Sequence, residues 1–328
     1  MRNMKFKVRF LKPFVTVFLI AFFAAQSFAQ FAISNAEEIA KIKNGTTYIV
    51  MKDPASPAAQ PYIDIYKKYW TFSKIEFIKY SEIEKYLSPE NSFFTIGSYA
   101  TTVQYINIKN GVSRDGISYT NTHLYLALWS CDKKFFKSKK KELTNKHQNE
   151  IARIELFTDF ETLNQPEKIY DSDYDGGGHI RNWSPGILKN YIQQLMVLLK
   201  NGKENSLYKR TIEPAKLKAL KKQILYVPDY TLIKFSPFNG DESKKLEEKE
   251  IFEDYKYAYS IISMQDLNDK ILNATEPFYY LIYVKSSTDK YLTVMNAATG
   301  EVIYTVYSAM SYNIKSNDLE DLSDKIEK

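Results

Sequence analysis

The feature that most constrains the fold of this 328-residue chain is a series of structural elements that the sequence predicts twice. A first series alternates helices and strands over 34–100, and a second follows the same order over 213–286. Tyr257 in the second series corresponds to Lys74 in the first, and neighbouring elements keep that spacing within a residue or two. We therefore predict two copies of one folding unit.

The predicted elements of the first copy are strands at 46–52, 74–80 and 92–100, with helices at 34–45, 61–70 and 81–87. Those of the second copy are strands at 231–237, 256–263 and 278–286, with helices at 213–223, 241–255 and 264–272. The second copy then closes with a hairpin that turns at Thr299 and Gly300.

Each predicted unit has the order β-α-β-α-β-β, which places the chain in the α/β or α+β class. The strands are short, rich in β-branched and aromatic residues, and separated by segments of helix length, a pattern that favours parallel crossovers. In the first copy Tyr62, Tyr66 and Tyr69 share one helix face. This element order resembles that of thioredoxin-like domains. The cysteine pair of such domains is absent here, so the resemblance implies a fold and no activity.

The region between the copies is predicted to be a helical connector. Residues 132–156 are basic and are expected to be helical, whereas the segment after it is irregular and polar. From Ser184 the pattern is strong, because this serine can cap a helix, Pro185 fits its first turn, and Asn201 and Gly202 can end it. We expect that helix to pack between the copies. The predicted divisions are a signal peptide at 1–29, a first α/β unit at 30–132, a connector at 133–212 and a second unit at 213–328.

The N-terminus has the pattern of a secretory signal peptide. Five basic residues precede an apolar run from Phe14 to Ala25, which is too short to span a bilayer, and small residues precede a predicted cleavage after Ala29. We expect a periplasmic or secreted protein of a bacterial envelope, with no transmembrane segment after cleavage. The signal holds five of the 45 basic residues and none of the 39 acidic ones. The rest of the chain is therefore nearly neutral, and no nucleic-acid partner is expected.

The sequence offers no recognisable catalytic template. Cys131 is the single cysteine and is expected to be a small core residue at a strand end. His123, His147 and His179 are isolated and lack the spacing of zinc ligands. The chain also lacks a nucleophile elbow, a dinucleotide-binding motif and a phosphate-binding loop. We predict no catalytic residue and no cofactor, with calcium as the one alternative.

The calcium alternative rests on the segment DSDYDGGGHIRNWSPG. Asp171, Asp173 and Asp175 have the alternate spacing of the first half of an EF-hand loop. Asn182 stands where that loop requires a bidentate glutamate, so a different calcium loop or a solvated acidic turn are the two interpretations left open.

The second half of the same segment suggests a binding role. His179, Arg181 and Trp183 directly precede a helix N-terminus, where they could meet an anion or a partner. The sequence as a whole predicts an exported, non-enzymatic binding or assembly protein whose partner is an envelope protein or a small ligand. The alternative is an exported hydrolase, assisted by a cation through 171–179.

Overall fold

A computed structural model describes residues 30–104, 107–109, 112–114, 118–138, 142–159, 180–207, 210–236, 240–286 and 289–328, with the backbone alone over 103–122. The predicted signal peptide at 1–29 and the acidic loop at 171–179 lie outside these residues.

The helices of the described residues are α1 (Ala36–Ile42), α2 (Gln60–Tyr69), α3 (Lys133–Lys137), α4 (Pro185–Asn201), α5 (Pro214–Leu217), α6 (Glu248–Ile251), α7 (Met264–Leu272) and α8 (Ser316–Glu327). The strands are β1 (Phe31–Ile33), β2 (Thr46–Met51), β3 (Lys74–Lys79), β4 (Ser92–Gln104), β5 (Asn107–Lys109), β6 (Val112–Arg114), β7 (Ser118–Cys131), β8 (Gln148–Leu156), β9 (Thr211–Ile212), β10 (Leu225–Pro228), β11 (Ile233–Lys234), β12 (Lys244–Lys245), β13 (Tyr259–Ile262), β14 (Tyr279–Ser286), β15 (Asp289–Asn296) and β16 (Val302–Ser308).

The described residues form two six-stranded sheets, which share one topology, and two two-stranded sheets, β5-β6 and β11-β12. The first sheet has the order β1-β8-β7-β4-β2-β3, and the second has the order β9-β16-β15-β14-β10-β13. In the first sheet β2 is parallel to β3 and β4, and in the second β10 is parallel to β13 and β14. The remaining pairs in both sheets are antiparallel. The prediction of an α/β fold with two similar units is therefore confirmed.

The helix predicted from Ser184 is also confirmed, and it is the central helix α4. Ser184 Oγ accepts a hydrogen bond from the Ile187 N–H (3.2 Å), Pro185 is the first helical residue, and Gly202 ends the helix with a left-handed φ of 61°. α4 packs against α2 of the first unit and α7 of the second. Its broad apolar face is buried, as its sequence pattern predicts.

The helix predicted over 132–156 is wrong for most of its length. Only Lys133–Lys137 form an α-helix, and Gln148–Leu156 form β8, which pairs with β7 and β1. Ile154 and Leu156 alternate along that strand and are almost fully buried. Pairing and burial of this segment between β7 and β1 outweigh the helical tendency of the neighbouring lysines. The boundaries predicted between the first unit, the connector and the second unit, at 132/133 and 212/213, stay predictions.

The second copy differs from prediction at its first strand. The equivalent of β2 is β10, at Leu225–Pro228, rather than a strand over 231–237. Leu225 and Val227 have no exposed surface, as a strand between two parallel neighbours requires. The segment 231–237 instead begins within a 3-10 helix, Asp229–Leu232, and contributes the two-residue β11.

Two of the predicted helices are shorter or tighter than expected. Within 241–255 only Glu248–Ile251 are α-helical, because this charged segment first pairs as β12 with β11. Residues Tyr80–Tyr86 form a 3-10 helix instead of an α-helix, with no buried residue to hold a longer turn. No helix among the described residues is long and apolar enough to cross a membrane.

Cys131 ends β7 and is buried, which confirms its predicted place in the core. Burial raises the pKa of its thiol to about 11, and the nearby Asp132 adds to that effect. Because the thiolate is the reactive form, we expect the native protein to resist thiol-specific labelling at neutral pH. Mass spectrometry should show the label only after denaturation, and rapid labelling of the native protein would contradict this burial.

Candidate functional site

The structure describes only part of the group of residues that the sequence places at 171–183. Asp171, Asp173, Asp175 and His179 lie outside the described residues, and so does the calcium loop that they would form. Within the described ranges, no group of three or more acidic, histidine or cysteine side chains is placed to hold a metal ion.

Arg181 and Trp183 face different parts of the molecule. The Trp183 ring stacks on Tyr62 with centroids 5.4 Å apart and lies in the packed core beside the first sheet. Arg181 instead directs its guanidinium to Glu242 of the second unit, at 3.5 Å from Oε2. Between them, Asn182 binds the Phe157 N–H through Oδ1 (2.7 Å). This short segment therefore joins the two units.

A first buried cluster of charges lies where the units meet. Glu242 Oε2 faces Arg181, and Glu242 Oε1 lies 3.3 Å from Lys285 Nζ. The Lys285 ammonium also lies over the Phe235 ring, 3.5 Å from its centroid. Burial lowers the pKa of Lys285 to about 8, while Glu242 opposes that shift and Arg181 adds to it. This cluster thus holds two cations beside one carboxylate.

A second buried cluster connects β7 and β8 of the first sheet with β14 of the second. Ser286 Oγ donates to Glu155 Oε2 (3.0 Å), and Arg153 Nε donates to Glu155 Oε1 (2.6 Å). His123 Nδ1 lies 3.0 Å from Ser286 Oγ, and its Nε2 lies 3.2 Å from Thr101 Oγ1. Burial raises the pKa of the Glu155 carboxyl, and Arg153 opposes that effect.

A serine, a histidine and a glutamate within hydrogen-bond distance invite comparison with a hydrolase, but their bonding order differs. In a catalytic triad the histidine lies between the nucleophile and the acid. Here Ser286 lies between His123 and Glu155, and its proton is directed to the carboxylate. None of the three lines the cleft or the cavity described below. The order of hydrogen bonds therefore differs from that of a triad, and the cluster joins the two sheets.

The same cluster makes stability depend on pH. Burial lowers the pKa of His123 from 6.5 to about 4, and Arg153 contributes to the shift. The unfolded state then binds a proton more readily than the folded state between these values, so the unfolding free energy should fall as the pH falls through that window. The full pKa shift corresponds to a loss of about 3 kcal/mol of unfolding free energy at the acid end of this pH window.

Denaturant titrations of wild type and His123→Asn across that pH range would measure this effect. Asparagine can donate from the Nδ1 position but does not titrate, so the difference between the two profiles isolates His123 from the nearby carboxylates. We expect the wild-type profile to be the steeper on the acid side of pH 6.5. Parallel profiles would show that His123 does not titrate as its burial requires.

A cleft lies along the second half of α4, between β1 of the first sheet and β9 of the second. We call it the α4 cleft; its volume is about 410 Å³. Its polar lining comes from the helix, from the segment after it and from the second unit: Gln194, Asn201, Asn205, Thr211, Glu213, Thr299, Glu301 and Thr305. No lysine, arginine or histidine is among its lining residues in the described part of the chain. Glu301 forms an ion pair with Lys216 at the rim.

Asn205 separates the α4 cleft from a neighbouring cavity of about 520 Å³. Its backbone forms two hydrogen bonds with Ile33, and its Nδ2 donates to the Phe31 carbonyl (2.9 Å). The wall between the two spaces is therefore held rigidly against β1. Glu150 and Glu204 line the neighbouring cavity, and burial raises the pKa of Glu150.

Of the residues in these clusters and the cleft, sequence reasoning singles out only Arg181 as a candidate binding residue. Glu155 and Glu242 each lie in a segment that the sequence predicts to be helical. The one available signal is the pair Lys285 and Ser286, which ends an otherwise apolar strand. A buried strand that carries a charge usually pairs it, but the sequence does not identify the partner.

Comparison with known proteins leaves this α/β protein of two similar units without a named relative: no family model, no curated protein and no solved structure matches the chain.

Proposed function

We propose that this chain is an exported, non-enzymatic binding protein of a bacterial envelope that holds a small ligand in the α4 cleft. The observation that supports this proposal is the cleft itself, which is formed by elements of both units and has a volume of about 410 Å³. Small-molecule sites commonly have volumes of about 300–1,000 Å³ and lie at the junction of domains. The basic and apolar pattern of the N-terminus supports export.

The lining indicates which ligands would fit. Glu213, Glu301 and the amide oxygens of Asn201 and Asn205 supply more acceptors than donors, and no cationic side chain of the described residues lines the cleft. Gln194 Oε1 already accepts from the Val302 N–H (3.2 Å), which leaves its amide N–H groups as donors. A neutral or positively charged ligand rich in hydroxyl or amine groups satisfies this lining. An anionic ligand would meet the carboxylates of Glu213 and Glu301, and Lys216 at the rim is already paired with Glu301.

A ligand panel with two matched variants tests the proposal. Val197 lines the cleft and is half exposed, so Val197→Trp would fill the cleft without disturbing a buried group. Leu272→Trp introduces the same side chain at an exposed position at the end of α7. Calorimetry with neutral saccharides, polyols and polyamines should detect binding to wild type and Leu272→Trp, with at least a tenfold loss in Val197→Trp. An affinity that is unchanged in Val197→Trp, or binding of anions alone, would contradict the proposed site.

The alternative function, an exported hydrolase, depends on a cation held by Asp171, Asp173 and Asp175, which lie outside the described residues. It remains a sequence-based hypothesis, as does calcium binding.

A further inference from the structure

Two buried lysines lie opposite each other in the β14–β15 hairpin, and they differ in how they are satisfied. Lys285 pairs with Lys290 in the strand register. Lys290 Nζ donates to the Asn313 carbonyl (2.9 Å) and forms an ion pair with Asp318. Its ammonium group thus has the acceptors that a buried cation requires.

Lys285 lacks such acceptors among the described residues. Its side chain is only 1% exposed, and its nearest carboxylate oxygen, Glu242 Oε1, lies at 3.3 Å without hydrogen-bond geometry. Its other contacts are the faces of Phe235 and Phe157, at 3.5 and 5.6 Å from the ring centroids. Aromatic faces attract a cation but accept no conventional hydrogen bond.

Arg181 is a second cation of this cluster, and one of its N–H donors has no acceptor among the described residues. Its NH2 group lies 3.5 Å from Glu242 Oε2, which is longer than the usual charge-assisted bond of about 2.7–2.9 Å. Its Nε is buried and has no hydrogen-bond partner in the described part of the chain. Two cations therefore face one carboxylate, and each has a buried N–H donor that no described group accepts.

We propose that Lys285 Nζ and Arg181 Nε bind a small monovalent anion of halide size beside Glu242. Such an ion balances the second positive charge and accepts both donors, whose burial without a partner is costly. A halide is small enough for a packed interface and does not require directional geometry. Burial lowers the pKa of Lys285 to about 8 and Arg181 adds to the shift, although Glu242 opposes it.

Thermal unfolding in sodium chloride and in sodium gluconate at equal ionic strength tests this site. We expect chloride to raise the unfolding midpoint of the wild type by about 2–4 °C relative to gluconate. Lys285→Met keeps the contact with the two phenyl rings but removes the excess charge, and should abolish the difference between the salts. Lys290→Met is the matched control; it should lower the midpoint in both salts and keep the chloride effect.

A second measurement does not depend on the folding of the variants. Crystals of the wild type in sodium bromide should give an anomalous peak next to Lys285 Nζ and Arg181 Nε. Equal midpoints in the two salts, a chloride effect that survives Lys285→Met, or a bromide map without that peak would each overturn the proposal.

Discussion

Replacement of Glu155 by alanine will lower the free energy of unfolding by about 3–5 kcal/mol, the usual cost of leaving a buried charge without its partner. Glu155 is almost fully buried, and it accepts from Arg153 and from Ser286 of the second sheet. Without it, the Arg153 guanidinium keeps the face of the Tyr125 ring at 3.7 Å but loses the carboxylate it contacts. Denaturant titration would measure the loss, which is a large fraction of the total stability of about 5–15 kcal/mol typical of proteins.

Two further variants identify the source of that loss. Glu76 forms an ion pair with Lys74 on the surface (2.6 Å), so Glu76→Ala should cost less than about 1 kcal/mol. The double variant Arg153→Met with Glu155→Met replaces both charges by apolar side chains and should recover part of the stability. If Glu155→Ala costs no more than Glu76→Ala, this cluster does not hold the two sheets together.

The duplication is predictable from sequence because several of its elements are long enough to show a period. α2, α4 and α7 each carry an apolar face, and β14 is a continuous apolar run. The edge strands β1 and β9 have three and two residues, too few for any pattern, so the sequence does not predict them. β10 escapes prediction because its apolar run is four residues long and ends in proline.

The candidate site is less predictable, because its residues are distant in sequence. Ser286 and Glu155 are 131 positions apart, and a single sequence does not show which polar residues meet. The sequence groups Arg181 with Trp183, but that grouping is not informative, since the two side chains face different units. The α4 cleft follows from the packing of α4 on both sheets, and the duplication predicts only that a cleft exists, not which residues line it.

Replacement of Gly300 by alanine will destabilise the fold by about 2–5 kcal/mol, from the left-handed backbone and from overpacking together. Gly300 has a φ of 72°, and a Cβ there would lie 2.6 Å from both the Asn190 carbonyl oxygen and Gln193 Cβ of α4. The turn at Gly300 is bound to that helix, because Asn190 Nδ2 donates to the Ala297 carbonyl (2.9 Å) and Gln193 Nε2 to that of Ala298 (3.3 Å). Thermal or denaturant unfolding would measure the loss.

Gly202 provides the matched control for this prediction. Its φ of 61° is also left-handed, but no described atom lies within 4 Å of the point that a Cβ would occupy, so Gly202→Ala should cost only the backbone contribution of about 1–2 kcal/mol. The additional loss of stability in Gly300→Ala, compared with Gly202→Ala, measures the cost of the close approach of α4 to the β15–β16 turn. Because Thr299 and Glu301 line the α4 cleft, Gly300→Ala should also weaken the binding of any ligand that Val197→Trp excludes. Equal losses in the two alanine variants would mean that the turn and the helix are not closely packed.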